Sequence, residues 1–377
     1  MYILIGLLII AVGSFGQSSS YVPIKKVKNW AWECFWLTQG IFAWLLFPFL
    51  GALLAVPENN SLFGIIGNAG SSAVLQSIAF GALWGIGGLT FGLSMRYLGV
   101  ALGQSLSLGI CSAFGTLIPP LLPQLFPDAG KITPVLIIGV SIAIAGIAII
   151  GYAGALKSQA MSEEEKRKAV KDFALKKGLL IALLAGVMSA CFNLGLNAGA
   201  PIKELLLSIS LQNINDIDVM TIVQKYLHNE PIDIKLKNIL DHTSLYASLP
   251  TTLLVTIGGF VTNAIYCIYQ NVKNNTGKQY FSVSRNIFVN NILFCSLAGI
   301  LWYSQFFGLG VGQSFLKASP IMLAFSWSIL MSLNVLFSNV WGIFLKEWKG
   351  SGQKTIIVLL IGLAMLVASI VFPQIIK

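Results

Sequence analysis

The chain has 377 residues, of which 56% are hydrophobic and only 10% are charged, and its mean hydropathy is +0.80. This composition excludes an ordinary soluble domain, in which about a quarter of the residues are charged. A net charge of +10 could indicate nucleic-acid binding, but most of the 24 Lys and Arg lie in connections between apolar segments. We therefore interpret the basic balance as a signal of membrane topology, with no nucleic-acid partner.

Several uncharged runs reach the length of about 20 residues that an α-helix needs to cross a bilayer. They are too apolar for the alternating strands of a barrel, so the sequence predicts an all-α membrane protein. The first run lacks the positively charged start and the small-residue cleavage site of a signal peptide, and we interpret it as a helix. Ten transmembrane helices are predicted, at about 2–18, 32–55, 73–95, 101–122, 133–153, 178–198, 248–269, 287–307, 320–344 and 355–372.

The distribution of Lys and Arg predicts the topology. They concentrate in the connections after the odd-numbered segments, which the positive-inside rule assigns to the cytoplasm, so both termini are expected outside. The densest charged stretch, 157–177, is predicted to be a cytoplasmic linker between a first five-helix repeat (1–156) and a second (178–377). Within the second, an external loop at about 201–248 has spaced apolar residues that predict short amphipathic helices.

Internal similarity favours two inverted five-helix repeats. GLLIIAVGSFGQSSSYVPIK (6–25) resembles GLLIALLAGVMSACFNLGLNAGAPIK (178–203), with GLLI and PIK at the two ends. A second similarity is between LGVALGQS (98–105) and LGVGQS (309–314). The first lies at the predicted junction of segments 3 and 4, and the second at that of segments 8 and 9. Because five segments separate the copies, the repeats cross the membrane in opposite senses, an arrangement common among secondary transporters.

The sequence contains none of the motifs that are typical of membrane enzymes, such as HExxH or a nucleophile elbow. His228 and His242 lie far apart in the 201–248 loop, and the five cysteines have no paired spacing. We therefore expect no cofactor, no metal site and no enzymatic activity. A membrane glycolipid enzyme is the alternative outside transport, and it would require a buried acidic or metal cluster.

Amides and aromatic rings inside the predicted helices are candidates for binding a neutral polyol. Amides can bond to hydroxyl groups and ring faces can pack on C–H surfaces, whereas almost no charge is available there for an ion. For each amide, the alternative that it only joins helices stays open. The candidate substrate-binding residues are Gln17, Gln39, Trp84, Asn193, Asn197, Trp302, Gln305 and Trp327.

Glu33 lies among tryptophans at the start of the second predicted helix. Trp30 and Trp32 have the character of interfacial belt residues, which puts Glu33 about one turn, roughly 5 Å, inside the cytoplasmic boundary. A cavity that opens inward would partly desolvate Glu33 and let it bind and release a proton, and an interfacial anchor fits its position equally well. Arg96, in the predicted short turn MRYLG (95–99), is either an orientation anchor or a partner for a carboxylate.

Five stretches resemble the bacterial L-rhamnose/proton symporters, a branch of the drug/metabolite transporter superfamily. The resemblance runs in order along nearly the whole chain, and it implies a ten-helix, multi-pass carrier of the bacterial inner membrane. Such a carrier has both termini outside and imports L-rhamnose with a proton by alternating access. The stretches are YVPIKKVKNWAWE (21–33), GALWGIGGLTFGLSMRYLGVALG (81–103), GTLIPPLL (115–122), LWYSQFF (301–307) and LKEW (345–348).

By position in the shared motifs, the resemblance makes Glu33 the leading candidate for the proton carrier and Arg96 its candidate partner. The partners that it implies are a sugar, a proton and the lipid bilayer. Two regions depart from the family pattern: the stretch 201–250 is longer than the usual connection, and WSILMSLNVLFSN (327–339) differs in character. A related deoxysugar, another metabolite such as a nucleoside, or coupling to sodium therefore stays open.

Overall fold

The computed structural model describes residues 2–98, 100–126, 131–159, 175–345, 348–349 and 351–375. These residues form helices and connections, with no strand among them. Nine helical segments in this part of the chain are long and apolar enough to cross a membrane. The prediction of an all-α fold is confirmed for these residues, and the nine candidate spans fit a membrane protein.

Two of the described helices are not α-helical. A π-helix (Ile41–Leu46) lies between α3 and α4, and a 3₁₀-helix (Gly277–Tyr280) lies between α13 and α14. The α-helices are α1 (Tyr2–Ser19), α2 (Tyr21–Ile24), α3 (Trp32–Gly40), α4 (Phe47–Leu53), α5 (Leu62–Asn68), α6 (Ser71–Leu98), α7 (Val100–Leu121), α8 (Pro134–Gln159), α9 (Leu175–Ala198), α10 (Ala200–Ile209), α11 (Val219–Leu227), α12 (Ile234–Ser244), α13 (Leu249–Lys273), α14 (Arg285–Leu316), α15 (Pro320–Phe344) and α16 (Gln353–Ile375).

Each of the ten predicted segments is helical, although α7 is not among the nine candidate spans. Two details differ from the predictions. Arg96 lies in the last turn of α6 and not in a short turn, because α6 continues to Leu98. The motif LGVGQS (309–314) lies inside α14 and not at a junction, because the first breaking signal is Pro320.

Most of the predicted linker, 157–177, lies outside the described residues, since α8 ends at Gln159 and α9 begins at Leu175. The chain forms two compact units, which we call the first unit (Met1–Ala82 and Gly195–Leu323) and the second unit (Leu83–Leu194 and Ala324–Lys377). Each unit therefore combines residues from both halves of the sequence.

In the first unit, α1 packs directly on α14 through small residues. A Cβ atom at Gly6 would lie 2.8 Å from the carbonyl oxygen of Gly312, and one at Gly13 would lie 2.5 Å from that of Ser304. The Ser304 hydroxyl donates a 3.0 Å hydrogen bond to the Gly13 carbonyl. Only glycine allows this approach, which is a common means of joining helices in lipid.

The second candidate span runs from Trp32 to Leu53 and contains the π-helix. Pro48 follows this π-helix; it has no N–H donor, and its ring would crowd the carbonyl four residues earlier in a regular α-helix. The wider turn is closed by a hydrogen bond from Phe47 N to Phe42 O. It therefore accommodates the proline without breaking the span.

The short helices predicted in the 201–248 loop are present as α11 and α12, and α10 precedes them. Asp218 and Asp233 cap the starts of α11 and α12 by accepting hydrogen bonds from backbone N–H groups. The three helices share a small core of their own, formed by Leu207, Leu211, Val223, Tyr226 and Leu240. The loop is thus an ordered helical layer of the first unit.

In the second unit, α8 packs on α16. Gly146 and Gly362 face each other, and a Cβ atom on either would lie about 3 Å from the carbonyl oxygen of the other. Ile147, Ile150 and Leu366 belong to the apolar cluster that fills this contact.

Candidate functional site

Glu33 lies in the first turn of α3, where the backbone N–H groups of a helix start favour a negative charge. Only 6% of the residue is exposed. Its Oε1 atom accepts a 2.6 Å hydrogen bond from the Thr276 hydroxyl and a 3.0 Å hydrogen bond from Asn274 Nδ2. The carboxyl group is therefore buried against the connection that follows α13.

The connection after α13 has the geometry that brings both donors to Glu33. Asn274 is the C-cap of α13, and Asn275 adopts a left-handed conformation with φ of 54°. Thr276 N then bonds to Asn271 O at 3.0 Å, and Asn275 N bonds to Val272 O at 3.4 Å. This is a Schellman motif in which asparagine takes the place of the usual glycine.

Side-chain amides also fix the backbone that leads into α3. Lys28 N donates to Asn291 Oδ1 at 2.9 Å, and Asn291 Nδ2 donates back to Lys28 O at 2.8 Å. Ala31 N donates to Gln279 Oε1 at 2.5 Å. These bonds position Glu33 from α14 and from the 3₁₀-helix.

Aromatic rings surround the start of α3. Trp32 stacks on Trp36 with a centroid distance of 5.3 Å, and Trp30 meets Tyr280 edge-on at 5.5 Å. Trp36 Nε1 donates a 3.0 Å hydrogen bond to Asn263 Oδ1 on α13. Rings with one polar edge are typical of a membrane boundary.

The partners of Glu33 are neutral. Among the described residues, no Lys or Arg side chain forms an ion pair with it. The group can therefore change its charge without leaving an unpaired cation beside it. The side chain of Arg96 lies outside the part of the chain that the structure describes, so its pairing with a carboxylate stays a prediction.

Two of the predicted substrate residues in the first unit are deeply buried amides. Gln39 is 3% exposed, and its Oε1 atom has no hydrogen-bond partner among the described residues. Gln305 is 4% exposed, and its Nε2 atom donates to the carbonyl oxygen of Trp302 at 3.2 Å. Trp302 in turn meets Trp44 edge-on, with a centroid distance of 5.8 Å.

Gln17 and Asn197, also in the first unit, are half-buried. Gln17 Oε1 accepts a 3.4 Å hydrogen bond from the Ser18 hydroxyl. Asn193 and Asn197 share α9 as predicted, but the boundary between the two units falls between them. The described contacts do not bring Gln17 or Asn197 together with Glu33.

In the second unit, the structure brings Trp84, Trp327 and Asn193 together around Phe192. Phe192 meets Trp84 edge-on at a centroid distance of 5.0 Å, and it stacks on Trp327 at 6.0 Å. Asn193 is the next residue on α9, and its Nδ2 atom donates a 2.7 Å hydrogen bond to Gly115 O. This bond joins α9 to α7, as the helix-joining alternative predicts.

Trp327 also contacts α7 closely. Its Nε1 atom donates a 3.2 Å hydrogen bond to Cys111 O, and its ring lies against Gly115, where a larger residue would collide with it. The second unit contains a small cavity of about 40 Å³ lined by Gln104, Ser105 and Asn339, among others. Such a volume holds a few water molecules and is too small for a sugar.

Sequence reasoning did not find Asn274, Thr276 or Phe192. Asn274 and Thr276 lie in the polar run NVKNNTG (271–277), which was interpreted only as a connection. Asparagine can replace glycine at the left-handed position after a helix, so Asn275 is a signal that could have marked an ordered turn here. Phe192 has no local signal that separates it from other apolar residues of α9.

The nine candidate spans, the buried carboxyl group at the start of one span and the buried amides and tryptophans of others are typical of a multi-pass membrane transporter. The family model of the L-rhamnose-proton symport protein matches residues 1–224 and 230–375 of this chain. The chain belongs to this family.

Curated relatives agree with the family match. The L-rhamnose-proton symporter of Yersinia pestis (strain Pestoides F) is 32% identical over 372 residues, which cover 97% of this chain and 95% of the relative. The L-rhamnose-proton symporter of Yersinia pseudotuberculosis serotype O:1b (strain IP 31758) has the same identity and coverage.

Proposed function

We propose that this protein is a secondary active transporter, not an enzyme, that imports L-rhamnose or a related deoxysugar together with a proton. The single observation that carries the proposal is the family match over nearly the whole chain. The names of the family and of its relatives supply the sugar and the ion. The buried carboxyl group of Glu33 supplies a chemical group for the proton.

Glu33 is the proposed proton carrier. An ionised carboxylate is expensive to move within a membrane protein and a neutral carboxyl group is much less so, so protonation can decide which conformations the carrier adopts. The donors Asn274 and Thr276 are neutral, so Glu33 can be either ionised or protonated beside them. Arg96 remains the candidate partner of this carboxylate, as the resemblance implies.

The proposed sugar-binding residues differ in how strongly the contacts support them. Gln39 is the leading candidate, because its buried oxygen has no partner among the described residues and can accept a sugar hydroxyl. Trp302 and Trp84 have ring faces that can pack on the C–H surface of a sugar. Asn193 and Trp327 already donate to α7 carbonyls, which favours helix packing, and Gln17, Asn197 and Gln305 stay candidates.

We further propose ten transmembrane helices in two inverted repeats, the plan of the drug/metabolite transporter superfamily. In such a repeat, each transmembrane helix of the first half corresponds to the one five places later. The packing of transmembrane helix 1 (α1) on helix 8 (α14) therefore corresponds to the packing of helix 6 (α9) on helix 3 (α6). The bond from Ser304 on α14 to the Gly13 carbonyl on α1 supports the first pair. A 3.1 Å bond from the Ser77 hydroxyl on α6 to the Gly195 carbonyl on α9 supports the second.

With α7 counted beside the nine candidate spans, the proposed arrangement has ten crossings, and an even number of crossings has both termini on the same side. The Lys and Arg distribution then supports termini outside the cytoplasm, in the inner membrane of a bacterium, with the α10–α12 layer also outside. Cysteine labelling with an impermeant reagent at a new site in α12, such as Ile239→Cys, tests this orientation.

Transport in proteoliposomes tests the proposed function. Purified protein should accumulate labelled L-rhamnose above the external concentration under an inward proton gradient, and an inward sodium gradient alone should not drive uptake. A thermal-shift panel of deoxysugars, other sugars and nucleosides identifies the preferred substrate class. No uptake and no binding of any deoxysugar would overturn the proposal.

A further inference from the structure

The Thr276 hydroxyl lies between two oxygen atoms that both accept hydrogen bonds. Its Oγ1 atom is 2.6 Å from Glu33 Oε1 and 3.0 Å from Asn271 Oδ1. A hydroxyl group carries one proton and can donate only one hydrogen bond. When Glu33 is ionised, only one of these two contacts can therefore be a hydrogen bond.

Asn271 is held by two further contacts. The Cys34 thiol lies 3.2 Å from Asn271 Oδ1, and Asn271 Nδ2 lies 3.4 Å from the Tyr280 hydroxyl. In this orientation the amide oxygen faces both Cys34 and Thr276. A thiol is a weak donor, so Asn271 Oδ1 has no strong donor unless Thr276 supplies one.

We propose that Thr276 is a positioning residue whose hydroxyl transmits the charge of Glu33 to the last turn of α13; this inference rests on the proposed role of Glu33 as proton carrier. When Glu33 is ionised, the hydroxyl donates to it. When Glu33 is protonated, its own O–H donates to Thr276 Oγ1, and the Thr276 hydroxyl rotates to donate to Asn271 Oδ1. The only proton gained or lost is the one on Glu33.

The consequence is a hydrogen-bonded chain that is complete only when the proton is bound. In the protonated state it connects α3, the Schellman turn and α13 through three side chains. In the ionised state Asn271 Oδ1 keeps only the thiol of Cys34 as a donor. Proton binding thus stiffens the turn that leads through the 3₁₀-helix into α14, which carries the candidate sugar residues Trp302 and Gln305.

The groups around Glu33 allow its titration to be isolated. The neighbouring elements carry the thiols of Cys34 on α3, Cys267 on α13 and Cys295 on α14, and the phenol of Tyr280 in the 3₁₀-helix. They also carry the cations Lys273 at the end of α13, Lys278 in the 3₁₀-helix and Arg285 at the start of α14. Burial raises the pKa of Tyr280 to about 12. Thiols ordinarily titrate near pH 8.5, so a scan from about pH 5 to 7.5 leaves the thiols and the phenol protonated.

The test is the pH profile of L-rhamnose counterflow in proteoliposomes with equal pH on both sides. Thr276→Val removes a short bond to the carboxylate, so the midpoint of the profile should move up by about one pH unit. Asn271→Leu removes the acceptor used only in the protonated state, so the midpoint should move down by about half a unit. Thr276→Ser keeps the hydroxyl and should stay within about 0.3 units of wild type.

Opposite shifts of the valine and leucine variants are a result that mere loss of packing would not produce. Shifts in the same direction, or no shift in either variant, overturn the proposal. If Thr276→Val does not fold, a downward shift in Asn271→Leu with an unchanged Thr276→Ser supports it, and any other result overturns it.

Glu33→Gln separates this inference from the proposed function. If this variant still concentrates sugar, the proposed role of Glu33 as proton carrier is wrong, and the proposed role of Thr276 is wrong with it. If it loses accumulation while Thr276→Val keeps the wild-type pH profile, only the proposed role of Thr276 is wrong.

Discussion

Asn274 donates a 3.0 Å hydrogen bond to Glu33 across a separation of 241 residues in sequence. The bond joins the start of the second candidate span to the turn after α13. It places a single acidic group among neutral donors, where a change of charge alters the local hydrogen bonds.

Glu33→Gln should abolish gradient-driven accumulation of L-rhamnose and leave sugar exchange measurable. Glutamine has nearly the same size and can still accept hydrogen bonds from Thr276 and Asn274, but it cannot carry a proton in a titration near neutral pH. The measurement is uptake with and without a proton gradient. Glu58→Gln, an exposed carboxylate in a connection, is the matched control and should behave as wild type. Normal accumulation by Glu33→Gln would make Glu33 an interfacial anchor.

Gln39→Leu should weaken sugar binding without lowering stability. The change removes a buried oxygen that has no partner among the described residues, which is neutral or favourable for folding, and it removes one acceptor for a sugar hydroxyl. We expect the half-saturating sugar concentration in counterflow to rise by roughly tenfold, the equivalent of about 1.4 kcal/mol. Unchanged affinity would exclude Gln39 from the sugar site.

Asn193→Leu should lower stability and leave sugar binding almost unchanged. It deletes the 2.7 Å bond to Gly115 O, so the free energy of unfolding should fall by about 1 kcal/mol, with little change in sugar affinity. Thermal unfolding in detergent and counterflow measure the two effects on the same preparation. Full stability together with a large loss of affinity would assign Asn193 to the substrate.

Gly13→Ala should destabilise the first unit. Its methyl group would lie 2.5 Å from the Ser304 carbonyl oxygen, so α1 must move away from α14, at a cost of about 1 to 3 kcal/mol in the free energy of unfolding. Gly88→Ala is the control, because nothing lies within 4 Å of the added atom. Equal melting temperatures for the two variants would contradict the close packing of α1 on α14.

Lys317 should make the stability of the first unit depend on pH. It follows α14, and its ammonium group lies over the Tyr226 ring of α11. Burial, then the nearby positive charge of Lys203, lowers the pKa of Lys317 to about 7. The unfolded chain holds this proton up to about pH 10.4, so stability should rise with pH between about 7 and 10.

Lys317→Met retains most of the side chain and removes the charge. The difference in melting temperature between this variant and wild type should therefore change from about pH 7 to pH 9, in favour of wild type at the higher pH. Lys278→Met, which removes an exposed lysine of the 3₁₀-helix, is the matched control for the loss of one positive charge. A constant difference for Lys317→Met would show that its charge is not buried.

Much of the fold follows from local properties of the sequence. Apolar length predicted a helix in each of the ten segments, and the spacing of apolar residues predicted the helices α11 and α12. The tryptophans around Glu33 predicted its place at the start of a span. The turn predicted around Arg96 was wrong, because the end of a helix depends on its breaking residues and not on hydropathy alone.

The partners of Glu33 could not be predicted in this way. Its pairing with Thr276 depends on how α3 packs against the end of α13, and no local pattern specifies that contact. The same holds for Phe192, whose role between Trp84 and Trp327 follows from the packing of three helices. Composition could list amides and rings as candidates but could not separate those already bonded from those without a partner.

The most direct test of the central claim is the movement of protons with the sugar. Adding L-rhamnose outside weakly buffered proteoliposomes, with no gradient applied, should make the external medium more alkaline as protons enter with the sugar. Glu33→Gln should remove this signal, and Glu58→Gln should keep it. Uptake of L-rhamnose by the wild-type protein with no change in external pH would contradict proton symport.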